Sequence, residues 1–404
     1  MLKRQVLWCV IVLLTVASVA LSQEDWNITG AGARAEGLGG AFIGLADDAT
    51  AISWNPSGLG QLERTEFSAV GRWIGEKYEF DNPDNTTANY SITQSHFTYN
   101  FASIAFPLHA GRVNIVPAVA FQRQLDNFSD YSTRSETYES GGGVNTVTPG
   151  IGLKLHPMFY VGGAVNIWLG NFDNKTLEKA TNATSKNEGS YKGLNFTAGL
   201  LVDFEGLKRP IPIKLGATLR TPFELEVEGD YEWATAGISN TKGAFKNTVE
   251  VPLMFGAGAS GRIGENLTLA FDFETRMYGD KKIYRSTDKA AVDTIKLSDS
   301  GDDVNQIRVG AEYLIVSSAG VIPIRAGFRT VPTLRANVNE KDEYADQVSG
   351  TGFTVGTGFI GGSIALDVTY ARTTWEQTFA LTGGKSATHN YTNQTVSASV
   401  IIYF

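Results

Sequence analysis

Cysteine is nearly missing from this chain: the single one, Cys9, lies within the first ten residues. Everything after it can therefore hold neither a disulfide framework nor a reactive thiol. Histidine is almost as scarce, and His96, His109, His156 and His389 show no ligand spacing such as H-E-x-x-H, so no metal site is expected. No apolar run after residue 21 is long enough for a membrane helix. Positive charge is in deficit, with a net charge of −8, which argues against nucleic acid as a partner. The chain also lacks a G-x-S-x-G elbow, a G-x-x-x-x-G-K-[ST] loop and a strand-to-helix G-x-G-x-x-G. Neither an enzyme nor a cofactor is expected on these grounds.

The residues present fall into three stretches. Lys3 and Arg4 form a basic head, an apolar run follows from 6 to 21, and small residues close it at Ala20-Leu21-Ser22. That order predicts a secretory signal peptide over 1–22. Residues 23–63 are rich in Gly and Ala, follow neither a period of two nor a helical period, and end in the turn Asn55-Pro56-Ser57-Gly58. Such a segment suits a compact irregular element packed closely against a surrounding surface.

From 64 to 404 almost every segment alternates apolar and polar residues, which predicts an all-β outer-membrane β-barrel of about 14 antiparallel strands. Connection lengths alternate too. Long polar stretches are expected as loops at 81–88, 126–140, 171–189, 229–246, 280–302, 337–348 and 377–390. They alternate with tight turns at 107–111, 156–157, 205–210, 262–265, 317–320 and 361–362. Short turns belong to the periplasmic side of such barrels, so both barrel ends are expected there. In the last strand Val396, Ala398, Val400, Ile402 and Phe404 share one parity against Thr395, Ser397 and Ser399, as a lipid face and a lumen face require. Trp73, Tyr78, Trp168, Tyr191, Trp233, Tyr278, Trp375 and Tyr403 are candidates for interfacial girdles.

Parity also assigns a lumen. Ile211, Ile213, Leu215 and Leu219 on one face turn Lys214, Thr218 and Arg220 inward, and similar counts bring in Glu250, Asp272, Glu274, Arg276, Arg308, Glu312, Arg325 and Arg329. Those charges suit either a structural network of ion pairs or a pocket where a cation meets an amphiphile's carboxylate. Arg325 and Arg329 lead the candidates for the second role, with Arg308, Arg220 and Lys214 behind them, since no acid stands beside either in sequence. Asp47 and Asp48 suit a helix cap or an ion pair with a lumen arginine. Pro117, inside the third strand, removes a ladder donor and favours an interruption.

The stretch Gly32, Arg34, Leu38-Gly39-Gly40-Ala41-Phe42, Ala46-Asp47-Asp48, Ala51 and Asn55-Pro56 resembles the N-terminal hatch of the FadL/OmpP1/TodX family of outer-membrane transporters, with Ser57 in place of that family's usual Ala. The resemblance implies a hatch over 23–63 inside a barrel over 64–404. It implies passive uptake of long-chain fatty acids or other hydrophobic compounds, a gating turn at Asn55-Pro56-Ser57, and a kinked third strand near Pro117 that opens sideways to the membrane. Expected partners are hydrophobic or amphipathic small molecules, outer-membrane lipid, and the barrel-assembly machinery, to which the aromatic-ended last strand resembles a signal. Proteins resembling the PorV group share this hatch and barrel yet serve protein secretion or surface attachment. The polar outer loops favour that alternative, in which a secreted protein is the partner.

Overall fold

The computed structural model describes residues 30–404 apart from 111–112, 236–238, 288–289 and 382–383; the expected signal peptide lies outside the described residues. Alternation does what it predicts. Strands run at β1 (Glu66–Asp81), β2 (Tyr90–Ala105, continued by Leu108–Ala110), β3 (Val113–Asp126, continued by Ser129–Ser132), β4 (Glu136–His156), β5 (Phe159–Glu178) and β6 (Ala183–Asp203). Four interrupted strands follow: β7 (Ile213–Arg220, Phe223–Thr235), β8 (Ser239–Val251, Met254–Ile263), β9 (Leu267–Arg276, Lys282–Thr287) and β10 (Ala290–Lys296, Val304–Ser317). The wall ends with β11 (Gly320–Val338), β12 (Tyr344–Ile360), β13 (Ile364–Leu381) and β14 (Lys385–Tyr403). Each of these fourteen strands pairs antiparallel with the next. β1 pairs with β14 from Glu66 opposite Tyr403 to Asp81 opposite Thr388, which closes the ring. Closure leaves no free sheet edge at this joint, a requirement in lipid.

The outer face carries the apolar parity. Ile213, Leu215 and Leu219 of β7, Leu269, Phe271 and Phe273 of β9, and Ile307 and Val309 of β10 are all exposed, as a lipid-facing band must be. At the other end the strands are longer than expected. The stretches 171–189, 229–246 and 280–302, expected as loops, are mostly strand. Their ladders continue above the apolar band through cross-strand pairs such as Lys246 with Glu226 (3.2 Å) and Glu228 (2.7 Å), and Lys242 with Glu232 (2.9 Å). Main-chain pairing persists wherever a neighbour is in register; only the hydropathy signal stops at the membrane edge.

Side-chain facing inverts at that edge. Within the band of β7, Thr218 is buried inward while Leu219 is exposed outward; beyond Thr221-Pro222, Leu225 and Val227 are the buried ones. β8 flips at Pro252-Leu253, so Val249 and Val251 point inward. Glu250, expected in the lumen, instead accepts from Lys282 N (2.9 Å) and Tyr284 Oη (3.2 Å) outside. The reason is the change of solvent: apolar residues face out against lipid and in against water. The inward set above the band forms a second core that includes Val144, Trp168, Phe172, Leu225 and Leu297. Trp168, Tyr278 and Trp375 are buried there or nearby, not in an outer girdle, whereas Trp73 is outward and exposed.

Residues 30–62 lie inside the ring, nearly all buried. They form two short helices, α1 (Ala33–Gly37) and α2 (Ala51–Trp54), then a 3-10 turn at Pro56–Gln61. Their main chain rests on a belt of lumen-facing glycines. A Cβ on Gly162, Gly216, Gly310 or Gly327 would come within 2.0 to 2.4 Å of main-chain atoms of the inner segment. Only glycine lets two backbones approach this closely.

Candidate functional site: the lumen cavity and its lateral seam

The inner segment is fixed by charge as well as by contact. Arg34 donates to Asp47 (2.5 Å) and, through two nitrogens, to Glu312 (3.2 Å each). Glu312 also accepts from Arg325 (2.6 Å), which reaches Asp367 (2.6 Å). The result is an unbroken chain of alternating sign from the inner segment into β10, β11 and β13. Asp272 accepts main-chain N–H groups from Phe42 (2.7 Å) and Ile43 (2.8 Å). Asp48 turns back to accept from Thr50 N and Oγ1 (2.8 and 2.5 Å), an Asx turn at the start of α2. Asp48 therefore shapes the local turn, and Asp47 pairs with an arginine of its own segment, with no wall arginine involved among the described residues. Asn55 Oδ1 accepts from Ser57 N (3.3 Å) and Ser57 Oγ (2.6 Å), while its Nδ2 donates to Ile43 O (3.0 Å) and Leu200 O (3.1 Å). Pro56 opens the 3-10 turn where a missing N–H costs nothing.

Above this floor lies a cavity of about 210 Å³. Glu36, Gly40 and Trp54 form its base, Trp375 and Tyr391 its far end, and Arg72, Arg123, Arg308 and Arg329 stand around it. The five candidate ligand-binding cations therefore separate into two groups. Arg325 is held between two acids, Lys214 donates to Gln61 Oε1 of the inner segment (2.6 Å), and Arg220 reaches Ser53 O (3.4 Å); these three hold structure. Arg308 bonds Glu274 (3.1 Å) yet stacks over Trp54 at 5.5 Å. Arg329 lines the cavity, and its one hydrogen bond among the described residues goes to Thr373 Oγ1 (3.3 Å). Sequence reasoning missed Arg72, Arg123, Glu36 and Asp126. Arg72 stands 3.5 Å from Glu36 and Arg123 3.5 Å from Asp126. Four guanidinium groups face two carboxylates, so the cavity favours an anionic or strongly polar guest.

One side of the cavity is formed by Thr98 and Asn100 of β2 with Arg123 to Asp126 of β3. Here the wall is incomplete. Ladder pairs join β2 and β3 only from Phe101–Ala105 to 118–122, with the short Leu108–Ala110 pairing below. Among the described residues none joins Tyr90–Asn100 to 123–132. Pro117 does not open this gap. It sits in an unbroken register opposite Ile151 of β4 and accepts from Phe106 N (3.0 Å) at a two-residue break in β2. The register shift of β3 falls higher, between Arg123 and Leu125. The seam is bridged by side chains alone: Gln94 Oε1 accepts from Asp130 N (3.0 Å) and Ser129 Oγ (3.2 Å), and Arg123 donates to Tyr99 Oη (3.1 Å).

A closed, plugged antiparallel barrel with an apolar outer band is an outer-membrane β-barrel. The comparisons agree: the BamG family model matches residues 31–370, and the chain belongs to that family. Among solved structures it is similar to a Pseudomonas aeruginosa FadL homologue (TM-score 0.71, 12% identity, covering 93% of this chain and 98% of that one). It is also similar to the P. putida toluene transporter TodX (0.66, 12%, 93% and 99%) and the Ralstonia pickettii toluene transporter TbuX (0.62, 15%, 94% and 99%). No curated protein matches it in sequence.

Proposed function

We propose that the barrel carries hydrophobic or amphipathic small molecules across the outer membrane, long-chain fatty acids among them. The observation that carries this reading is the lumen cavity standing directly behind the seam between β2 and β3. A molecule reaching the cavity has a sideways route toward the membrane that does not require the inner segment to leave. An acid headgroup would meet Arg329, with Arg308 beside it, while Arg325, Arg220 and Lys214 keep the inner segment in place. In this reading residues 23–63 are the hatch, and the Asn55-Pro56-Ser57 turn moves only if a ligand leaves downward. Structural neighbours described as toluene transporters support the class. The test is mass spectrometry of small molecules retained by the detergent-purified protein. An acyl or aromatic ligand present in the wild type and lost in Arg329→Ala is expected; a barrel empty of such ligands overturns the reading.

A second reading, a barrel that engages a protein partner, is favoured by the polarity of the seam. The side chains facing it are Gln94, His96, Thr98, Asn100, Arg123 and Asp126, a poor lining for a hydrocarbon.

A further inference from the structure

We propose that the upper edge of β2, Tyr90–Asn100, is a docking edge for an extended polypeptide that adds as a strand between β2 and β3; this rests on the second reading. β2 is fully laddered to β1 on one side, from Tyr90 opposite Phe80 to Ala105 opposite Glu66. On its other side the upper eleven residues have no ladder neighbour among the described residues. An unpaired edge is a template for another strand.

A second observation points to an occupant that makes hydrogen bonds. Buried polar atoms with no hydrogen-bond partner among the described residues gather at this seam: His96 Nδ1, Asn100 Oδ1 and Gln124 Oε1. Asn100 is only 4% exposed, so bulk water does not serve it. His96 Nε2 stands 3.5 Å from Asp126, and its ring stacks on Phe128 with centroids 4.1 Å apart. Each orphaned atom costs on the order of 1–3 kcal/mol, and a hydrocarbon guest would satisfy none of them. A strand supplies main-chain donors and acceptors along the edge and small polar side chains to the inward orphans. On the membrane side Phe97 and Tyr99 are 72% and 53% exposed, ready for its apolar parity. The occupant is therefore a segment alternating polar and apolar residues, as the strands of an outer-membrane barrel do. Inserting it needs about 10 Å between the flanking strands, twice the usual spacing, and displaces side-chain contacts across the seam: those of Gln94 and Arg123, the bond from Asn100 Nδ2 to Arg123 O (3.4 Å), and His96 with Asp126 and Phe128.

The test uses the full chain in native outer membranes, carrying photoreactive benzoylphenylalanine at Phe97 or, on the opposite wall, at Phe353. The substitutions Gln94→Cys and Asp130→Cys allow the seam to be tied by a reducible bis-thiol linker. Folding of the untied double variant is checked by heat-modifiable gel migration. The expected result is a polypeptide adduct at Phe97 that maps to an alternating segment, falls at least tenfold when the seam is tied, and returns on reduction. Polypeptide adducts that ignore the tie overturn strand addition and leave the partner reading standing. Lipid or small-molecule adducts alone, at both positions, overturn strand addition and the partner reading together.

Discussion

Adding one methyl group to the glycine belt should release the inner segment. A Cβ on Gly327 would lie 2.0 Å from Gly39 N and 2.4 Å from Leu38 C, both main-chain atoms of the inner segment. Ordinary contact begins near 3.4 Å, so the segment must retreat by more than 1 Å. That shift reaches Thr354, which bonds both Gly39 N and Gly37 O at 3.1 Å. Overpacking of this kind costs about 1–3 kcal/mol, which raises the displaced population about 5- to 150-fold. Single-channel conductance in planar bilayers and protease cleavage at Arg34 report that population directly. Gly327→Ala should show frequent openings and faster cleavage, while Gly362→Ala, whose Cβ would meet nothing within 4 Å, should match the wild type. A Gly327→Ala protein as closed and as protected as the wild type would refute the idea that backbone contact seals the barrel.

Further outcomes follow from the charges and turns. Arg325→Ala should destabilise the barrel by about 3–5 kcal/mol because Glu312 and Asp367 lose a buried partner; Arg329→Ala, which breaks no ion pair among the described residues and only the bond to Thr373, should leave thermal gel migration unchanged. Asn55→Ala removes both hydrogen bonds donated by Asn55 Nδ2 and its contacts to Ser57, and should loosen the inner segment without unfolding the wall, read as amide exchange confined to residues 42–60. His389 lies above the membrane band, where burial, with Arg335 adding to it, lowers its imidazole to about 4. The folded state then binds fewer protons than the unfolded one between about pH 4 and 6.5, so stability falls as pH drops through that window. Carbon-13 NMR of labelled histidine should show His389 titrating near 4, and a midpoint near 6.5 would count against its burial.

Much of the wall was legible because lipid imposes a period of two. Ile213, Leu215 and Leu219 announce their outward face without any knowledge of the partner strand. The gap in the inference lies where a second solvent takes over. Glu250 was placed inside because nothing in the local alternation marks the slip at Pro252-Leu253, and the stretches expected as loops pair on through charged residues that carry no hydropathy signal. Arg325 illustrates a different limit. No acid stands beside it in sequence, yet Glu312 lies directly opposite in the ladder, and register between strands is set by the assembled sheet. Pro117 suggests only a weakened ladder, and the family resemblance sets an opening near it; the seam depends on where two strands stop pairing, which a lone proline does not reveal.

The closed joint between β1 and β14 bears on the order of events during biogenesis. Phe404 donates its N–H to Thr65 O at 2.9 Å, just ahead of β1, so the stretch following β14 is clasped to the stretch that directly follows the inner segment. Residues 30–62 are synthesised before any strand and end up enclosed by all of them. Their main chain is seated on the glycine belt, so a side chain added there would narrow the space the enclosed segment occupies.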